Sequence, residues 1–147
     1  MYQIRVKRLT DTACLPVRAT AGSAGYDLYA DIPKPWTIHP GETLLIPTGI
    51  ALEIPDPGYG AFIFARSGLS VRAGICLANG VGVIDSDYRG EIQVAVCNRS
   101  QQDYSFSPQE RIAQMVFLPV ALPLLTDAED LEETVRGAGG FGSTGRD

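Results

Sequence analysis

Apolar residues recur with a period of two in short runs interrupted by turn residues, and this pattern excludes a helical core. Ile50, Leu52 and Ile54 alternate with Ala51 and Glu53, and Ile92, Val94 and Val96 alternate with Glu91, Gln93 and Ala95. Each run has one face to bury, as a half-buried strand does. Pro55-Asp56-Pro57-Gly58, Ala78-Asn79-Gly80 and Asp85-Ser86-Asp87 punctuate the runs at the spacing of a sandwich or barrel. The 16 glycines and 10 prolines among 147 residues favour tight turns over long helices. The pattern predicts an all-β domain of many short strands. Two helical candidates remain: a short one after Arg66-Ser67-Gly68, and the acidic stretch 127–134, which has no apolar face.

Charge and side-chain inventory narrow the function. Seventeen acidic against twelve basic residues give a net charge of −5, which argues against broad binding to nucleic acid or an anionic membrane. Any phosphate partner must meet local cations. Cys14, Cys76 and Cys97 are odd in number and far apart in sequence, so neither a disulfide framework nor a C-x-x-C centre is indicated. With no apolar run of signal or membrane-spanning length, a soluble cytoplasmic protein is expected. The one histidine, His39, lies in the turn Ile38-His39-Pro40-Gly41, which disfavours Ser–His–Asp or Cys–His nucleophilic chemistry. There is no His/Cys set for zinc, so a metal would be Mg²⁺ arriving with substrate phosphates.

Five clusters carry possible chemistry. Residues 137–147 hold five glycines and one large apolar side chain, Phe141, too little to fold alone. They are expected to form a flexible arm behind a domain of residues 1–136. Residues 137–142 match G-x-G-x-x-G, but the strand, helix and downstream acid of a dinucleotide site are missing. Unhindered glycine N–H groups beside Ser143 and Thr144, flanked by Arg136 and Arg146, can instead wrap an oligophosphate; a solvated tail is the plainer alternative. Arg66-Ser67-Gly68 follows the apolar run 61–65 and offers either an anion site or an ordinary Ser N-cap. Arg111 and Gln114 follow Glu110, and a Glu110–Arg111 pair is the local reading. Residues 81–92 read as a hairpin in which Asp85 ends one strand and Tyr88 begins the next. Asp85 is placed there to orient a water or to cap the turn. Asp27 is a lone carboxylate in Ala24-Gly25-Tyr26-Asp27-Leu28.

Taken in order, these clusters resemble the five motifs of the trimeric dUTPase family, the deoxyuridine triphosphate nucleotidohydrolases, over most of the chain. The resemblance implies a jelly-roll β barrel or sandwich, a homotrimer, and active sites at subunit interfaces, each closed by a neighbour's arm. It implies that Asp85 orients a water for attack on the α-phosphorus of dUTP, with pyrophosphate leaving. Tyr88 would lie under the deoxyribose and exclude a 2′-hydroxyl. Asn79, Gly82 and Val83 would hydrogen-bond uracil, and Phe141, followed by Gly142, would stack on it. Arg66, Ser67, Gly68 and Gln114 are implied at the inner phosphates, and Arg136, Ser143 and Thr144 at the γ end. Mg²⁺ would ride on the triphosphate, with Asp27 reaching it only through water and Arg111 structural. Ala65, Ser70 and Gln109 depart from the commonest family pattern. A dCTP deaminase would be distinguished by ammonia release, and a non-catalytic binding module by the absence of any turnover.

Overall fold

The computed structural model describes residues 3–140, and in them eleven strands and one helix. β1 (Arg5–Arg8) pairs with β5 (Ile50–Glu53), and β3 (Trp36–Ile38) with β10 (Tyr104–Phe106). A four-stranded sheet runs β2 (Tyr26–Tyr29), β11 (Arg111–Pro119), β6 (Tyr59–Ala65), β8 (Gly82–Ile84). A three-stranded sheet runs β4 (Thr43–Pro47), β9 (Gln93–Asn98), β7 (Ile75–Leu77), and the helix α1 (Ser67–Ala73) joins β6 to β7. Every ladder is antiparallel. The architecture is all-β and of jelly-roll type, but its four sheets are separate and form no closed barrel among the described residues.

The core follows from the alternation. In β9, Val94, Val96 and Asn98 are buried while Gln93 is exposed, and Ile38, Ile46, Ile50, Ile75, Ile92 and Phe106 meet them in one cluster. Each fully buried aliphatic side chain contributes about 1.5–3 kcal/mol. Asn98, the polar member, is fully satisfied. Its Nδ2 donates to Ile38 O (3.1 Å) and Gln102 O (2.7 Å), and its Oδ1 accepts from Ser100 N (2.9 Å) and Ser100 Oγ (2.8 Å). His39 is exposed and pairs with Asp103 at 2.8 Å. That hydrogen bond holds its imidazolium above the ordinary range, and the pair lies at the surface beside the β3–β10 ladder. No helix among the described residues is long and apolar enough to cross a membrane.

Two expectations fail here. The acidic stretch 127–134 forms neither helix nor strand. Glu129 faces Glu132 and Glu133 at helical spacing, as Asp130 faces Glu133, and like charges at i, i+3 and i, i+4 oppose a helix with no core to pack on. Residues 81–92 are not a hairpin either. β8 pairs with β6, whereas the next strand, β9, lies between β4 and β7 in the other sheet. The apolar run after Tyr88 is drawn away because β9 gains ladders on both edges, five residues long with β4 and three with β7, where the three-residue β8 would offer one short ladder.

Gln109 has φ +59°, where an L side chain crowds its own backbone. The turn holds it there: its N–H donates to Ala30 O at 2.8 Å, and Glu110 N–H donates to Ser107 O at 3.1 Å. The one departure from the family pattern with a visible backbone consequence is therefore this position. Gln109→Gly is expected to raise stability by about 0.5–1 kcal/mol, since the relieved left-handed strain exceeds the added chain entropy of glycine. A urea midpoint unchanged or lowered in this variant would contradict that reading.

Candidate active site

Two hollows gather the chemistry-bearing residues. The first, of ≈ 290 Å³, lies where the chain passes from one large sheet to the other, and Asn79, Gly82, Val83, Asp85 and Tyr88 line it over Leu77 and Ile63. β7 ends at Leu77, and Ala78 N–H donates to Ala95 O (2.9 Å). The left-handed Gly80 (φ +73°) then turns the chain into β8. Gly82 sits opposite Ile63, whose Cβ would lie 3.0 Å from any Cβ added there. A side chain at this position would fill the hollow.

Beyond β8 the loop is clamped rather than paired. Tyr88 N–H donates to Asp85 O (3.2 Å), and Arg89 Nη1 donates to Ser86 O (2.7 Å) and Tyr88 O (3.0 Å). The Tyr88 hydroxyl donates to Glu91 O (3.0 Å), which lays the ring across Gly90. Glu91 Oε1 accepts Gly49 N–H (2.8 Å), and Ile92 N–H donates to Ile50 O (2.9 Å). These contacts fix the loop to β5. The sequence reading did not single out Gly90 or Glu91 for this role; a glycine two residues after an exposed aromatic was the available signal. Asp85 is exposed, and its carboxylate accepts no hydrogen bond among the described residues, so both oxygens are available to a water.

The second hollow, of ≈ 320 Å³, is lined by Asp27, Arg66, Ser67, Gly68, Arg111 and Gln114 among others. Asp27, on β2, is largely buried and receives Arg66 Nε (3.0 Å) on one oxygen and Arg111 Nη1 (3.3 Å) on the other. Two guanidinium groups on one carboxylate leave one unit of positive charge, in a protein of net charge −5. Arg66 Nη1 also donates to Arg111 O at 3.2 Å. A β-bulge at Arg111/Ala113 in the β11–β2 ladder re-aims Arg111 toward Asp27, as bulges beside sites commonly do. Glu110 is engaged elsewhere, by the Tyr104 hydroxyl and by Ser107 N–H (2.9 Å). The Glu110–Arg111 pair read from the sequence is thus replaced by an Asp27–Arg111 pair. Gln114 Nε2 donates to Ala65 O (3.1 Å), and Gly25 gives it room, since a Cβ there would lie 3.0 Å from Gln114 Oε1. Burial first, and then the charge of Asp27, raise the neighbouring Tyr29 phenol above its ordinary range, so it remains neutral.

Ser67 is the first residue of α1, not its cap. Arg66 holds the N-cap position with extended backbone (φ −84°, ψ 131°) and no side-chain cap bond. The N-cap reading of Ser67 therefore falls, and its hydroxyl lines the hollow instead. Arg136 lines neither hollow; its Nε donates to Gly139 O at 3.0 Å. Phe141, Gly142, Ser143 and Thr144 lie outside the described residues.

The register of β6 separates the two hollows. Ala61 pairs with Ile84 and Ile63 with Gly82, which sets Asp85 level with Gly60. Arg66 stands six residues farther along, about 20 Å at strand rise. After Pro119 the chain leaves the body: Val120 N–H donates to Gly58 O (2.8 Å), and the backbone bonds beyond it, Gly137 N–H to Thr134 O and Gly139 N–H to Arg136 O, stay within the segment. Leu122, Leu124, Leu125, Leu131 and Val135 are all exposed there.

The dUTPase family pattern matches residues 11–145. The deoxyuridine 5'-triphosphate nucleotidohydrolase of Desulfitobacterium hafniense is 57% identical over 149 residues, covering 99% of each chain. That of Chromobacterium violaceum is 54% identical over 139 residues, 95% of this chain and 91% of its own. Among solved structures, a mutant dUTPase of Staphylococcus bacteriophage 80alpha with dUpNHpp superposes with a TM-score of 0.83 at 27% identity, covering 98% and 99% of the two chains.

Gly90 supports Tyr88 so closely that a Cβ there would collide with its hydroxyl and lie 2.5 Å from Cζ. Gly90→Ala is expected to swing the ring off Glu91 O and cost about 1–3 kcal/mol of stability. A denaturation midpoint equal to that of the unaltered protein would show that the ring is not held there.

Proposed function

The chain belongs to the dUTPase family and is a dUTP diphosphatase, and from this premise we propose that one dUTP spans two copies of the chain, its base and sugar in the first hollow of one and its triphosphate in the second hollow of the other. The observation that carries this reading is the spacing of Asp85 and Arg66. On one chain they stand about 20 Å apart along β6, too far for the reacting phosphorus to be served by both. A homotrimer closes such shared sites by rotation, so that every copy gives and receives one half. The exposed leucines beyond Val120 fit a segment that packs on a neighbour, consistent with residues 137–147 serving as an arm.

In the first hollow, Asn79 and the backbone around Gly82 and Val83 recognise uracil. Its N3–H and two carbonyl groups match backbone acceptors and donors, and cytosine would leave buried polar groups unpaired. Tyr88 packs against the deoxyribose and leaves no space for a 2′-hydroxyl. Asp85 holds a water by hydrogen bond and receives its proton as the oxygen attacks the α-phosphorus; the bond to the leaving pyrophosphate breaks and dUMP remains. In the second hollow, Arg66, Ser67, Gly68 and Gln114 hold the inner phosphates, preorganised by the Asp27 pairing. Arg136, Ser143 and Thr144 meet the γ end, and Phe141, with Gly142, covers the base and excludes water.

The residues present fit a metal carried by the substrate rather than one bound by the protein. Among the described residues no group of three His, Cys, Asp or Glu could hold an ion. Asp27, whose oxygens face Arg66 and Arg111, would reach an ion only through water. A Mg²⁺ brought by the triphosphate would offset phosphate charge there.

Pyrophosphate release is expected from dUTP and not from dCTP, dTTP or UTP. Asp85→Asn should lower kcat by about 10²–10⁴-fold, the usual contribution of a general base, with dUTP binding retained by calorimetry. Wild-type turnover in that variant would remove Asp85 from the mechanism. Sharing of the site has its own test: Asp85→Asn and Arg66→Ala chains, each inactive alone, should recover roughly a quarter of wild-type activity when refolded together, because mixed assemblies rebuild intact sites at that frequency. No recovery in verified mixed assemblies would place each site within one chain.

A further inference from the structure

Cys76 and Cys97, far apart in sequence, are direct partners in the β7–β9 ladder. Arg99 N–H donates to Gly74 O and Ala78 N–H to Ala95 O, both at 2.9 Å. Hydrogen-bonded and non-hydrogen-bonded pairs alternate along an antiparallel ladder, so the Cys76–Cys97 pair, two steps from each, is also a hydrogen-bonded one, with Cα atoms about 5.5 Å apart. That lies inside the range a disulfide spans, roughly 4.4–6.8 Å. Ile75, Leu77, Val96 and Asn98 point into the core, whereas both cysteines are half-buried free thiols on the opposite face. Ser70 Oγ on α1 lies 3.4 Å from Cys76 Sγ.

The pair also sits at the feet of the first hollow. Every lining residue of that hollow except Ile63 lies on the chain between Cys76 and Cys97. Leu77 follows one cysteine directly, and Ala95 lies two residues before the other. A bond between the sulfurs closes this whole segment into a covalent loop.

We propose that Cys76 and Cys97 form a reversible disulfide that ties the base-binding loop and weakens its hold on the nucleotide; the effect on binding rests on the assignment of uracil to the first hollow. The oxidant is a low-molecular-weight disulfide. One cysteine thiolate attacks it, forming a mixed disulfide and releasing one small thiol. The second thiolate attacks the protein sulfur of that mixed disulfide, forming the Cys76–Cys97 bond and releasing the other small thiol. Two electrons pass to the small disulfide, and the two thiol protons end on the released thiols or in solvent. Cβ atoms of cross-strand partners stand about 4.5–5.5 Å apart, against roughly 3.5–4.5 Å in a disulfide. The bond draws the two feet together by about an ångström and is, for the same reason, readily reduced.

The test is incubation of the whole protein with oxidised glutathione, followed by intact mass, peptide mapping and dUTP kinetics before and after dithiothreitol. The expected result is a mass lower by two hydrogens, a cross-linked peptide holding Cys76 and Cys97, and a KM for dUTP raised about tenfold, as an ångström of misplacement can do, and restored on reduction. Cys76→Ser and Cys97→Ser should each abolish the shift, and Cys14→Ser should retain it. Glutathione adducts without the cross-link, or a cross-link that leaves KM unmoved, would overturn the proposal. The mass readout does not depend on what the hollow binds. Failure of the reduced protein to hydrolyse dUTP would count against the functional reading instead, and with it against any effect of the bond on binding.

Discussion

The pairing of β6 with β11 on one side and β8 on the other governs the molecule. Antiparallel registers are discrete, and a slip of one residue would turn every core side chain of β6 toward the wrong face. With Ala61 and Ile63 locked inward, the positions of the two hollows along β6 are no longer adjustable. One hollow opens against Ile63 and β8, with Asp85 just beyond the end of β8, and the other at the end of β6, where Arg66 leaves the sheet and α1 begins. On the proposed reading, a chain built on this strand carries both halves of a nucleotide site and needs a second copy to bring them together.

Electrostatics within the second hollow follow from the same frame. The protein is acidic, so attraction of a polyanion cannot come from its overall field. Under the proposed function it comes from two arginines held on one largely buried carboxylate, with one positive charge left over. Arg66 is anchored on both Asp27 and the Arg111 carbonyl, an order that would lower the entropy lost when a phosphate binds. The first hollow is organised differently. Among the described residues it contains no ion pair; a tyrosine pinned over a glycine and a loop tied to Gly49 through Glu91 give it shape, and Asp85 is left exposed.

Much of this was legible in the residues. β5 and β9 follow from alternation, β6 from the apolar run 61–65, the short helix from its place after Arg66-Ser67-Gly68, and the turns from Asn79-Gly80 and Pro57-Gly58. The chemistry-bearing clusters were legible through motif order, and the described ones fall into the two hollows except Arg136. What failed had a common cause. The hairpin over residues 81–92, the Glu110–Arg111 pair and the N-cap role of Ser67 were all inferred from neighbours in sequence. In the first two a distant partner competes better, β4 and β7 for β9 and Asp27 for Arg111; in the third the helix starts one residue earlier than read, with Arg66 at the cap position. The same blindness hid the Cys76–Cys97 pairing, since only a strand register makes those two residues neighbours.

By itself, the sequence determined the β class and the side chains available for chemistry, with one histidine among them, because period, turn propensity and functional-group inventory are local properties. It also determined that charge for a phosphate ligand must be local. The tertiary structure alone decided which strand each segment joins, that Asp27 orients two arginines, and that Asp85 and Arg66 stand at opposite ends of β6. Those outcomes depend on competition among many possible long-range ladders. That competition is settled by which combination buries the most apolar surface with every backbone group paired.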